Sequence, residues 1–122
     1  MAAFFLDLDG TLVTHGTNEL MSGRLAQLQA AVEAGHQIIF TTRRGPEFLH
    51  HPVWGRMATE RLLRDLAQNY GIEAQVLYGV QSPRIVINDE GALAKQVLMN
   101  GDWDFTLCQL AGEAASCQSD SR

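Results

Sequence analysis

Three short apolar runs, residues 4–8 (FFLDL), 36–41 (HQIIFT) and 84–88 (RIVIN), each end in or next to an acidic, hydroxyl or amide side chain. Runs of this length, apolar throughout and partly β-branched, read as strands buried on both faces. Between the first two, Met21, Leu25, Leu28 and Val32 recur at spacings of four, three and four, which makes one helical face over residues 20–34. Gly35 supplies a left-handed stop. A second amphipathic helix is predicted over residues 55–70, with Ala58, Leu62, Leu66 and Tyr70 on its inner stripe. Gly71 caps it, and Ile72 is placed to pack back on the last turn. Residues 74–78 read as a third strand and 84–88 as a fourth.

The order strand, helix, strand, helix, strand, strand argues for one α/β layered domain with a mostly parallel sheet. One connection conflicts with it. Only residues 79–83 separate the third and fourth strands, whereas a parallel crossover needs about a dozen residues. Either the third strand is not a regular parallel member or the connection is unusually extended. Beyond Gly91 the pattern weakens to a helix over 92–97, a strand over 105–107 and a disordered tail over 116–122, which sets the domain at residues 1–115.

Composition narrows the function classes. Hydrophobic residues make up 46% of the 122 and charged residues 19%, enough for a packed core. A net charge of -5, with no basic run, argues against nucleic acid as a partner. The apolar opening, residues 2–6, is too short for a signal peptide or a membrane span, so no membrane partner is expected and the chain reads as cytoplasmic. Cys108 and Cys117 fit neither a redox nor a zinc spacing and read as free thiols.

Ligands of open α/β sheets bind beyond the carboxyl ends of the strands, where this chain places Asp7 and Asp9, Thr41, and Asn88 with Asp89. Two residues apart on an extended backbone, the Asp7 and Asp9 carboxylates face one side and repel each other. A divalent cation such as magnesium, which takes oxygen ligands and needs only one or two carboxylates, would relieve that repulsion. Gly10 lets the chain turn sharply, so that the amides after Asp7 can face a phosphate. A strand ending in an ordinary polar turn would show the same four residues. A calcium loop would not, because its glycine stands sixth and its acid twelfth; counted from Asp7, the glycine is fourth and the twelfth residue is Asn18. The four histidines form no ligand pattern and are given structural or solvent roles, and Trp54 and Trp103 are expected to cover the core.

The stretch FFLDLDGTLV, residues 4–13, resembles the first motif of the haloacid dehalogenase superfamily, an apolar strand followed by DxDGT. IIFTTRRG, residues 38–45, is similar to its second motif, and RIVINDEGA, residues 84–92, to its acidic fourth motif. Order and spacing most resemble the small capless phosphatases linked to capsule and surface-polysaccharide synthesis. The resemblance implies a single Rossmann-like, three-layer domain without a cap, and a magnesium-dependent phosphatase acting on a small phosphorylated substrate. It implies that Asp7 is the nucleophile and Asp9 the acid and base. Gly10, Thr11 and Thr41 would bind phosphate, and Asp7, the Asp9 carbonyl, Asn88 and Asp89 would hold Mg2+.

The chain departs from the family at the third motif, where relatives carry lysine and this chain reads Gly79-Val80-Gln81-Ser82-Pro83. Arg43, two residues past Thr41, is the leading substitute as a phosphate ligand, and Arg84 the second; Arg44 is expected to point elsewhere. About 28 residues separate Asp9 from Ile38, too few for a folded cap. The site should therefore be open, covered by the substrate or by a homo-oligomer. Two other readings share these residues: a weakly catalytic regulatory or assembly protein that binds phosphate and magnesium, and a nucleotide or polynucleotide phosphatase.

Overall fold

The computed structural model describes residues 1–120 other than Ser22, Leu49 and Glu90. The first apolar run forms strand β1, Ala3–Asp7. The two predicted helices follow as α1, Arg24–Glu33, and α2, Arg56–Tyr70. They alternate with β2, Gln37–Thr41, and β3, Gln75–Leu77. The last element is α3, Leu107–Asp120. Parallel neighbours need long crossovers, and α1 and α2 provide them in a sheet ordered β1-β2-β3. The register pairs Asp7 with Thr41 and Thr41 with Leu77, so the three strands end level at their carboxyl edge.

β2 is the interior strand and the best buried, with Ile38, Ile39 and Phe40 all inside. β1 falls short of the double burial its sequence suggests. Phe4 is in the core, but Phe5, on the opposite face, is 63% exposed. Leu28 and Ala31 of α1 and Leu66 of α2 close the core over the strands, joined by Ile72. Helix α2 ends as its sequence predicts. Gly71 takes a left-handed φ of 68°, and the Ile72 amide donates to the Leu66 carbonyl.

Three expectations for the second half fail. Residues 84–88 form no strand, and Ile85, Val86 and Ile87 are largely exposed. β3 is a regular parallel member, and five residues cannot carry a crossover to a further parallel strand. Residues 92–97 form no helix. The predicted strand over 105–107 is replaced by the start of α3, for a local reason. The Thr106 hydroxyl accepts from the Gln109 amide and the Gln109 side chain accepts from the Thr106 amide, a reciprocal cap that starts a helix. The Leu107 amide then donates to the Gln27 side chain, docking α3 on α1. Helix α3 spans Leu107–Asp120; Ser121 and Arg122 lie outside the described residues.

Between β1 and α1 the chain makes turns and isolated bridges, of Val13 with Asp9 and with Leu20, and between β2 and α2 one short 3-10 turn, Pro46–Phe48. Neither stretch builds a cap. Among the described residues, no helix is long and apolar enough to cross a membrane. Because Phe40 is wholly buried in the interior strand, Phe40→Ala is expected to cost about 3–5 kcal/mol of stability, measured by denaturant unfolding.

Candidate active site

The strand register assembles the first part of the site. Asp7 and Thr41 are level neighbours at the ends of β1 and β2. The Arg84 guanidinium lies across both, its Nη1 3.0 Å from Asp7 Oδ1 and 3.2 Å from Thr41 Oγ1. The Val80 carbonyl steadies the other nitrogen. The Asp7 side chain remains 42% exposed, so the carboxylate is paired and still open to solvent.

Past Asp7 the chain folds tightly on itself. The carbonyl of buried Leu8 accepts from the Leu12 and Val13 amides at 3.0 and 3.1 Å and, more weakly, from Thr11. The Gly10 amide donates to the Val13 carbonyl at 2.7 Å. Gly10 has φ 78°, the left-handed region where glycine is favoured, and a Cβ there would meet Met99 at 3.0 Å. The Gly10 and Thr11 amides, expected to face a phosphate, are thus engaged inside the turn. The loop is also held from outside, by the Asn100 amide on the Gly10 carbonyl and by Arg24 Nε on the Thr11 carbonyl. Arg24 lies buried over the Trp103 ring, 3.9 Å from its centroid, and also donates to the Gly101 carbonyl. Burial pushes its pKa below the ordinary arginine value, and Asp102 pulls the other way.

Asp9 turns to a different partner. Its two carboxylate oxygens accept from Arg44 in a fork, Oδ2 from Nε at 3.0 Å and Oδ1 from Nη2 at 2.7 Å. Arg44 is 1% exposed. Its remaining N–H groups reach Asn18 Oδ1, the Val53 carbonyl and Thr59 Oγ1 at 2.8–3.1 Å, and the Thr17 carbonyl at 3.4 Å. Sequence reasoning sent this arginine away from the site, because adjacent side chains alternate on an extended backbone. The chain leaves β2 at Thr41, and alternation no longer holds beyond it. Nothing local in the sequence marks Arg44 or Arg24 as buried; their acceptors are mostly carbonyls and side chains distant along the chain.

Arg43 points to solvent and pairs with Glu47 at 3.3 Å. Asn88 and Asp89 lie on the exposed stretch after Arg84, and Glu90 lies outside the described residues. Among the described residues, no three of His, Cys, Asp and Glu are gathered as a metal-holding group. The histidines are structural where their contacts are seen. His51 accepts the Val53 and Trp54 amides and stacks on Trp54, whose edge also meets His15. His36, just ahead of β2, accepts from the Ala2 amide.

A model of the haloacid dehalogenase-like hydrolase family matches residues 4–73, more than half of the chain. The match spans Asp7, Asp9, Thr41 and Arg44 and stops short of Arg84. The chain is also similar to a crystal structure of a target protein from Vibrio cholerae, at 15% identity over 100% of both chains with a TM-score of 0.52, a likeness of fold alone. No curated protein matches the chain.

The two ion pairs differ in burial, and their removal should differ accordingly. Asp9→Ala strands a buried guanidinium and is expected to cost about 2–4 kcal/mol of stability, less than the full cost for a deeper pair because Asp9 is 20% exposed. Asp7→Ala breaks an exposed pair and should cost less than about 1 kcal/mol. Denaturant unfolding of the two variants side by side measures the difference.

Proposed function

The chain belongs to the haloacid dehalogenase-like hydrolases, and on that premise we propose that it is a magnesium-dependent phosphomonoester hydrolase working through an aspartyl-phosphate on Asp7. Its substrate is a phosphorylated sugar or a similar small metabolite, an assignment that rests on family analogy alone. The observation that carries the reading is the level pairing of Asp7 with Thr41 under one guanidinium, that of Arg84. A nucleophile, a hydroxyl donor and a positive charge converge at the sheet edge where α/β proteins bind ligands.

In the first half-reaction an Asp7 carboxylate oxygen attacks phosphorus as the bond to the leaving oxygen breaks, and Asp9 delivers a proton to that oxygen. In the second, Asp9 takes a proton from water, the water oxygen attacks phosphorus, and the Asp7–phosphorus bond breaks to release phosphate. Thr41 donates to a phosphoryl oxygen throughout. Arg84 supplies the charge that lysine supplies in relatives; its planar fork can hold two phosphoryl oxygens together. Most of the rate enhancement in such chemistry comes from positioning and charge stabilisation.

The candidate metal ligands are oxygen donors, which is the kind magnesium takes. The Asp7 carboxylate and the Asp9 carbonyl would hold it. Asp89 and Asn88, which follow Arg84 by five and four residues, would be the further ligands that the family resemblance implies. Bound there, magnesium would neutralise charge on the phosphoryl group.

A screen of sugar phosphates, nucleotides and p-nitrophenyl phosphate with magnesium tests the reading; hydrolysis that excess chelator abolishes is expected. Asp7→Asn should remove turnover while circular dichroism stays at the parent signal, and turnover at the parent rate would exclude the aspartyl-phosphate. Arg84→Ala should lower kcat/KM about a hundredfold, the scale for losing a charged contact to the transition state. Arg43→Ala should change it by less than about threefold, since its side chain is on Glu47 and in solvent. Asp89→Ala should raise the magnesium concentration needed for half-maximal rate.

A further inference from the structure

Within the phosphatase reading, on which this inference rests, we propose that Arg44 is a positioning residue. It touches no substrate, holds the Asp9 carboxylate in its working orientation, and thereby governs proton delivery to the leaving group.

A guanidinium has five N–H donors and no acceptor, and burying one is tolerable only when its donors are met. At 1% exposure Arg44 meets that demand with Asp9, Asn18, Val53, Thr59 and Thr17. Thr59 is itself directed. Its hydroxyl proton goes to the Gly55 carbonyl at 2.9 Å, which leaves a lone pair for Arg44 Nη1. The backbone of Arg44 is held too, its amide on Thr42 Oγ1 and its carbonyl accepting from the Gly79 amide. The arginine therefore has one available position, and Asp9, which takes both arms of the fork, has one as well.

That orientation leaves Asp9 able to act. The fork takes one lone pair from each oxygen, and a carboxylate offers about four acceptor sites. The side chain is 20% exposed, so the fork does not seal Asp9 off from solvent. The same guanidinium ties Asp9 to residues 17–18, to the Val53 carbonyl and to the first turn of α2. The acid group is thus built into the frame around the sheet edge. Lysine cannot replace this arrangement, because a point charge does not fork to two oxygens and leaves the other acceptors unmet.

The test separates a leaving group that needs a proton from one that does not. In Arg44→Lys, kcat/KM, which reports the first half-reaction alone, is expected to fall about a hundredfold on an alkyl ester such as glycerol 2-phosphate, the scale for a misplaced catalytic group. On p-nitrophenyl phosphate, whose phenolate leaves unprotonated, kcat/KM should fall less than about fivefold, while kcat falls on both esters because Asp9 also activates the water of the second half-reaction. Arg44→Lys combined with Asp9→Asn should be no slower on the alkyl ester than Asp9→Asn alone. Thr59→Val, which removes one acceptor from Arg44 and never touches Asp9, should show the same selectivity in weaker form and serves if Arg44→Lys does not fold. Equal losses of kcat/KM on both esters, or losses that multiply in the double variant, would overturn the positioning role and leave the phosphatase reading standing. A parent protein that hydrolyses neither ester would remove the phosphatase reading, and the role of Arg44 with it.

Discussion

The organisation of the loops at the carboxyl edge of the sheet depends on one buried ion pair. Isolated from water, the Arg44 guanidinium would be prohibitively costly, so the chain around it has to supply acceptors on every side. It does so from the loop after β1, the segment at residues 17–18, the loop before α2 and the first turn of α2. Their common requirement to meet one cation gives them a common geometry, and Asp9 lies within it.

A second buried arginine does related work on the same loop. Arg24 opens α1, lies over Trp103 and donates to the Thr11 and Gly101 carbonyls, which joins the start of the helix, the loop after β1 and the approach to α3. The loop carrying Asp9 and Gly10 is thus held between two guanidiniums. Asp7, one peptide unit ahead of buried Leu8, stays at the strand end with its carboxylate half open. The contrast suits the proposed chemistry, in which one carboxylate exchanges partners during the reaction and the other keeps its place.

Much of this could be read from residues alone. The alternation of apolar runs with 3.6-residue periodicity located β1, β2, α1 and α2, because burial of one face is a local pattern. The Gly71-Ile72 helix stop was legible for the same reason. The reciprocal cap of Thr106 and Gln109 is equally local, and its spacing, a threonine followed three residues later by a glutamine, was there to be found. Residues 84–88 misled in the opposite sense. Their β-branched composition states only that a strand could form, and a strand needs a neighbour whose ladder is within reach.

The sequence by itself determined the class of fold, the strand ends at Asp7 and Thr41, and the family whose model matches residues 4–73. Each of these rests on periodicity or on a contiguous motif. Which arginine meets which carboxylate was decided only by the tertiary structure. Arg43, Arg44 and Arg84 are chemically alike in sequence, yet one faces solvent with Glu47, one is buried on Asp9 and one spans Asp7 and Thr41. The physical reason is that a guanidinium goes where its donors can be met. Those acceptors, carbonyls and side chains up to 77 residues away, exist together only once the chain has folded.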